Sequence, residues 1–281
     1  MASTQAHQPA AGTERTAKLS LRYGVISDIH GNLHALDKAI KTLSRAQVDA
    51  YLCAGDLVGY GPMPNECVGR IAKLGAECVV GNHDLIALGL LSDEGCSELA
   101  RQTLAWTAEQ LDDDSRRYLR ELPRLFTTPD GVVMAHGSLS DPSEYIRTPE
   151  QSDSQLRELE RLEPEARVLL LGHTHRPAAH AHARGTLTVP HRGLMGISPG
   201  TRYLLNPGSV GQSREKSARA QFMVLDMARD AARFYAVRYD FRGARRALRE
   251  RELPSWALRP QPVRWRTWAH AARQHLPGLR R

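Results

Sequence analysis

One arrangement, repeated along the chain, constrains this sequence more than any other feature. An apolar run stops at a sharp turn with glycine, and an Asp, Asn or His follows. The runs are Gly24-Val25-Ile26-Ser27-Asp28-Ile29-His30-Gly31-Asn32, Tyr51-Leu52-Cys53-Ala54-Gly55-Asp56, Cys78-Val79-Val80-Gly81-Asn82-His83-Asp84, Val132-Val133-Met134-Ala135-His136-Gly137 and Val168-Leu169-Leu170-Leu171-Gly172-His173-Thr174-His175. Short apolar runs bounded by turn residues read as buried strands. Side chains at i and i+2 of a strand leave the same face, so Asp28 and His30 are expected to reach one ion from the end of one strand. A single buried His is usually a satisfied core residue. That account has to be invoked separately for His30, His136, His173 and His175, whereas one metal site explains them together.

The segments between the runs set the topology. Leu33, Leu36, Ile40 and Leu43 recur with helical spacing after the first strand, Tyr23 to Ser27. Val48 to Ala54 reads as a strand, Asn65 to Leu74 as a helix and Glu77 to Val80 as a third strand. Such alternation implies parallel pairing with right-handed crossovers, which gathers the carboxyl ends of the strands on one edge, where ligands bind in open α/β sheets. Residues 84–122 read as helical, with a boundary at Asp112-Asp113-Asp114. Leu125 to Thr128 and Val132 to Ala135 read as a hairpin, Gln151 to Leu162 as a surface helix and Arg167 to Leu171 as another buried strand. Thr186 to Val189, Arg202 to Leu205, Gln221 to Asp226 and Ala232 to Tyr239 are strand-like and are expected together in a second, largely antiparallel sheet.

Composition limits the alternatives. With 281 residues, 41% hydrophobic and 25% charged, the chain reads as one α/β domain, residues 19–252, and no apolar run approaches the ~20 residues of a membrane span. No membrane partner is expected. Residues 1–18 lack the basic start and apolar middle of a signal peptide and are expected to form a disordered leader. The four cysteines show no C-x-x-C spacing and read as reduced packing residues, in keeping with a cytoplasmic location. The net charge of +7 is all terminal: Phe241 to Arg281 holds eleven Arg and two Glu, a balance of +9, leaving −2 for the first 240 residues. The extension 253–281, with Trp256, Trp265 and Trp268, is either a solvated tail whose tryptophans pack back on the domain or a nucleic-acid or anion-binding element.

Taken jointly and in order, Asp28-x-His30, Gly55-Asp56, Gly81-Asn82-His83-Asp84, His136 and Gly172-His173-x-His175 resemble the motifs of the calcineurin-like metallophosphoesterases. The resemblance is greatest to their bacterial and archaeal phosphodiesterase branch, which has stretches comparable to Asp56-Leu57-Val58-Gly59-Tyr60-Gly61-Pro62 and Asn206-Pro207-Gly208-Ser209-Val210-Gly211, and it covers roughly residues 21 to 252. It implies a four-layer α/β/β/α sandwich of two mixed sheets with two divalent metal ions at the strand ends. Asp28, His30 and His175 would hold one ion, Asn82, His136 and His173 the other, and Asp56 would bridge them. Imidazole with carboxylate suits Mn, Fe, Zn or Ni without selecting among them. The resemblance also implies a metal-bridging hydroxide as nucleophile and His83 as proton donor, a residue that could instead be a hydrogen-bonded structural histidine. The substrate would be a phosphate-ester small molecule or nucleotide, with a diester the better match.

Departures sharpen the expectation. Protein serine/threonine phosphatases and diadenosine tetraphosphatases carry an Arg-Gly pair after the bridging Asp, and the protein phosphatases an acid that supports the catalytic His; this chain has Val58-Gly59-Tyr60-Gly61 there. A phosphomonoesterase, protein phosphatase or dinucleotide hydrolase is therefore the weaker fit. A non-catalytic scaffold would show lost ligands, and none is lost. Arg214 either approaches a phosphate or is a solvated loop residue. His7, His34, His180, His182, His191, His270 and His275 match no motif and are expected at the surface or in loops. Nothing in the sequence fixes an oligomeric state.

Overall fold

A computed structural model describes residues 21–190 and 193–260. The leader, His7, His191, His270, His275, Trp265 and Trp268 lie outside the described residues. The elements run β1 (Arg22–Ile26), α1 (Leu33–Arg45), β2 (Ala50–Cys53), α2 (Pro64–Leu74), β3 (Glu77–Cys78), α3 (Asn82–Ala87), α4 (Glu98–Gln110), α5 (Asp113–Glu121), β4 (Phe126–Thr127), β5 (Val132–Met134), α6 (Pro149–Leu162), β6 (Val168–Leu170), β7 (Pro177–Ala181), β8 (Gly185–Leu187), β9 (Met195–Gly196), β10 (Tyr203–Pro207), β11 (Ala220–Asp226), β12 (Ala231–Val237) and α7 (Phe241–Glu250).

Local chemistry explains most boundaries. The Asn32 side chain accepts the Ala35 amide to start α1, Asp112 accepts that of Ser115 to start α5, and Thr148 with Gln151 forms a capping box before Pro149 at the start of α6. Gly75 closes α2 with φ of 65°, a left-handed cap that favours glycine.

The strands form two six-stranded mixed sheets, in the orders β3-β2-β1-β11-β12-β9 and β4-β5-β6-β10-β7-β8. Strands β3, β2 and β1 are parallel, as are β5, β6 and β10. Alternate residues of each central strand feed different cores. Val25, Leu52, Met223 and Leu225 join Val132, Met134, Val168, Leu170, Tyr203 and Leu205 between the two sheets. Ile26, Cys53, Phe222 and Val224 pack with the helices over the first sheet, and Val133, Leu169 and Leu204 pack with α6 over the second. The result is the four-layer α/β/β/α sandwich, with three cores lying between its layers. Leu253, Ala257 and Leu258 are buried in the first core, so the chain still contributes to the domain past residue 252, while Trp256 is exposed.

Two expectations need correction. The four later strands do not share one antiparallel sheet: β11 and β12 join the first sheet beside β1, and β8 and β10 join the second. All seven residues of β11 are buried, and a strand apolar on both faces requires cover on both sides, which a central position gives. The strand β7, which lies between β10 and β8, was not expected; Pro177-Ala178-Ala179-His180-Ala181 has weak strand propensity and is held by pairing with its neighbours.

Candidate metal centre

Every proposed ligand lies beyond the carboxyl end of a strand: Asp28 and His30 after β1, Asp56 after β2, Asn82 after β3, His136 after β5, and His173 and His175 after β6. The i, i+2 strand argument for Asp28 and His30 fails, because β1 ends at Ile26 and both residues adopt left-handed backbone, φ 52° and 51°. Asp56, Tyr60, His173 and His175 share that conformation, with φ between 56° and 62°. Left-handed backbone costs an L-residue about 1–2 kcal/mol. Ties between loops offset this cost at residues 28–31. Asp28, Ile29, His30 and Gly31 donate their amides to Gly55, Asp56, Asp56 and Leu57, and Asp28 O accepts from Gly211 N and Ser209 Oγ, at a net ~0.5–1.5 kcal/mol each.

The loops bring together two overlapping groups. Ligand atoms of Asp28, His30, Asp56 and His175 lie within 4.8 Å of one another, as do those of Asp56, His136 and His173, and either group could hold a metal ion. Asp56 belongs to both. Asn82 Oδ1 joins the second group, 3.1 Å from His136 Nε2. Both groups are drawn from residues the motifs singled out.

Backbone carbonyls orient the imidazoles. His30 Nδ1 meets Val58 O at 3.0 Å, His136 Nδ1 meets Ala54 O at 2.6 Å and His175 Nδ1 meets Gln212 O at 2.6 Å. Each carbonyl calls for a proton on Nδ1 and turns Nε2 inward, an outer-shell arrangement typical of metal-ligating histidines. His173 is turned the other way, with Nε2 at 3.0 Å from Ser143 O and Nδ1 left for the site. The two Nε2 atoms of His30 and His175 are 3.1 Å apart, and Asp56 Oδ2 is buried without a hydrogen-bond partner, 3.2 Å from His136 Nε2. Lone pairs and an orphan carboxylate oxygen converging in a buried space fit divalent cations.

The titration behaviour has the same cause. Burial pushes Asp28 up to about 7, with Asp56 adding to the shift and His136 opposing it. Burial lowers His30 to about 3, and it lowers His83, His173 and His175 as well. His136 goes the other way: burial lowers it, but the nearby charges of Asp56 and Asp28 carry it up to about 10. The chain's own charges thus satisfy one carboxylate with one imidazolium and leave the second carboxylate favouring its neutral form. A cation removes that conflict.

His83, at the start of α3, donates its amide to Asp56 Oδ1 at 2.9 Å and packs its ring 4.7 Å from that of His30 and 4.9 Å from that of Tyr60. Its Nδ1 is buried without a partner. Gly59 explains the opening, since a Cβ there would meet His83 Nδ1 at 2.5 Å. A Cβ on Gly81 would overlap Asp56 Oδ1, so both glycines let backbone approach these side chains.

Several supporting residues carried no assignment in the sequence reading. Asp84 accepts amides from Asp56, Leu57, Val58 and Gly81 at 2.8–3.1 Å and so fixes the loop that presents Asp56. Asn206 Nδ2 donates to Gly172 O at 2.6 Å and Thr174 Oγ1 at 3.1 Å, holding the turn that carries His173 and His175. Both stand inside the motif stretches quoted above, and their position there was the available signal. Among the histidines without a motif, His180 contradicts its surface assignment: it is buried on β7 and meets Asp153 Oδ1 at 3.0 Å. Alternation on a strand that the sequence did not reveal points it inward. His34 lies on α1, 3.8 Å from Asp240.

The comparisons with known proteins point the same way. Residues 21–230 match the model of the calcineurin-like phosphoesterase superfamily domain. The chain is 30% identical over 237 residues to an uncharacterised protein of Methanocaldococcus jannaschii, covering 83% of this chain and 93% of that relative. Its fold is similar to the crystal structure of a metallophosphoesterase from Sphaerobacter thermophilus, with TM-score 0.74, 30% identity and coverage of 85% of this chain and 97% of the other. It is similar in fold also to a hypothetical protein from Pyrococcus horikoshii, with TM-score 0.69, 21% identity and coverage of 86% and 97%. Among the described residues no helix is long and apolar enough to cross a membrane. With three quarters of its length matched by the family model and its Asp and His residues gathered at the strand ends, the chain belongs to the calcineurin-like phosphoesterase superfamily.

Proposed function

We propose that this chain hydrolyses a phosphodiester at a centre for two divalent cations, Asp28, His30 and His175 facing one, Asn82, His136 and His173 the other, and Asp56 shared. The observation that carries the reading is Asp56 itself: its Oδ2 is buried, unpartnered and common to both ligand groups. When bound, two such ions neutralise phosphoryl oxygens and bring a shared water's pKa toward neutrality. The chain's own residues supply the geometry. Asp84 and the carbonyls of Ala54, Val58 and Gln212 hold the ligands in place before substrate arrives, which lowers the reorganisation cost of the reaction.

His83 is assigned to protonate the leaving oxygen. Its ring stands beside the ligand groups, and its Nδ1 has no protein partner to compete for a proton. Burial lowers its pKa against the charge of Asp56, so a bound anionic phosphoryl group is what would favour its acid form. The diester preference rests on the Val58–Tyr60 loop, which offers no guanidinium to balance the second charge of a monoester. The test combines elemental analysis with rates on bis-p-nitrophenyl phosphate and p-nitrophenyl phosphate. Wild-type protein is expected to carry transition metal, to lose activity on chelation and to favour the diester. Asp56→Asn is expected to lose metal from both groups and to lose more activity than the ~10–100-fold typical of an outer-shell partner. Active protein free of metal and indifferent to chelators would overturn the reading.

A further inference from the structure

Three arginines stand at the rim of the ligand groups. Arg176 directly follows His175, and its guanidinium donates to Arg214 O at 3.4 Å. Arg214 comes two residues after Gln212, whose carbonyl holds His175. Arg147 lays its guanidinium 3.8 Å over the Tyr145 ring, which in turn lies 3.8 Å from the ring of His173. Arg22, Arg70, Arg167 and Arg202 each meet a carboxylate. Among the described residues Arg176 and Arg214 meet none, and the Nε of each is buried without a partner. The charges of Arg176 and Arg214 both act on Arg147. Arg176 and Arg214, with no carboxylate of their own among the described residues, call for an anion, and guanidinium forks match phosphate oxygens in particular.

We propose that Arg147, Arg176 and Arg214 form a second anion subsite, which takes a phosphate group of the substrate other than the one being cleaved. This deepens the phosphodiesterase reading and rests on it: the substrate class becomes a small phosphoester carrying at least one further phosphate. Asp56 and its neighbours face the scissile group, and the arginines hold the second phosphate one residue past His175 and across Tyr145 from His173. A monophosphate diester would use only the first set of contacts.

The experiment uses full-length, metal-loaded protein and two probes, inorganic phosphate and pyrophosphate. Each is titrated calorimetrically and assayed as an inhibitor of bis-p-nitrophenyl phosphate hydrolysis, for wild type and for Arg147→Gln, Arg176→Gln and Arg214→Gln. Losing charge-assisted hydrogen bonds is expected to weaken pyrophosphate by ~10–100-fold, and by at least tenfold more than it weakens phosphate. Arg176→Lys and Arg214→Lys should recover part of the difference, since they keep the charge but not the fork. Arg147→Gln, at an exposed position, tests the subsite even if a variant at a more buried arginine does not fold. Parallel weakening of both probes would overturn the proposal and assign the arginines to the scissile phosphoryl group; unchanged binding would remove them from the site. Calorimetry reads the subsite without turnover, so failure of the esterase reading, seen as absence of hydrolysis, is separable from failure of this one.

Discussion

Two clusters of imidazole and carboxylate among the described residues differ in what fits one of them to hold a metal ion. At the strand ends, His30, His136 and His175 each fix one ring nitrogen on a backbone carbonyl and turn the other toward Asp28 or Asp56, all with little or no solvent exposure. On the far side of the second sheet, His180 meets Asp153 through Nε2 and leaves Nδ1 without a partner, and His182 lies 3.4 Å from the same carboxylate oxygen. The side chains of Asp153 and His182 are each about a third exposed, so solvent reaches this cluster even though His182 Nδ1 itself is buried. The first cluster has oriented rings, two buried carboxylates and an orphan oxygen; the second is a hydrogen bond that ties β7 to α6. Residue type is shared. Backbone anchoring and exclusion of water separate them.

The largest effect expected to sharpen this contrast comes from His83, which lies in the first cluster but is placed outside its ligands. His83→Ala should keep its bound metal while slowing catalysis by ~10²–10⁴-fold, the usual range for general acid–base groups. The loss should be greater on an alkyl ester than on a nitrophenyl ester, because nitrophenolate departs without needing a proton. Rates on both esters, measured beside metal content, decide the matter. Equal losses, or loss of metal, would return His83 to a structural role.

Asp84 is expected to come next. Asp84→Asn keeps the shape but turns an N–H toward backbone donors that now meet a carboxylate, leaving buried groups unsatisfied at a cost of ~1–3 kcal/mol. Because those donors belong to the loop that presents Asp56, metal affinity and turnover should each fall by ~10–100-fold. A variant that loses stability but binds metal with wild-type affinity would show that the loop holds without it.

A smaller effect concerns pH. The histidines at positions 30, 83, 173 and 175 have pKa values held below the ordinary 6.5 in the folded chain. Unfolded chain therefore takes up more protons as pH falls through 6.5, and the metal-free fold loses stability from there downward. His136, raised to about 10, contributes in the opposite sense: its stabilisation is complete below 6.5 and is lost as pH rises toward about 10. Asp28 and Asp84, each raised to about 7, also oppose the four by taking up protons in the folded chain as pH falls, and the four histidines outweigh them only once pH is below 6.5. Melting temperatures of chelator-treated protein should fall from about pH 6 to about 5, and metal affinity should fall with them, since protons and metal compete for the same nitrogens. A flat profile would contradict the buried, neutral state assigned to these rings.

The smallest effect is expected at the second cluster. Asp153→Ala should leave metal content and turnover unchanged and lower the melting temperature only slightly, because its carboxylate is partly solvated. Loss of metal in this variant would erase the distinction between the clusters.

The sequence by itself determined the ligand types and the layering. Val132-Val133-Met134 and Val168-Leu169-Leu170 are apolar at every position, so their strands had to be covered on both faces, and both are. Asp, Asn and His after those runs are intrinsic to the sequence and mark the edge where the site forms. The tertiary structure decided the rest. Asp28 and His30 share a site because left-handed turns aim them, and those turns persist through partners such as Ser209, 181 residues away. The placement of β11 beside β1, the four amides gathered by Asp84 and the approach of Arg147, Arg176 and Arg214 are likewise products of long-range pairing. Local propensity has no term for such contacts: their free energy appears only when segments far apart in the chain bury and satisfy one another.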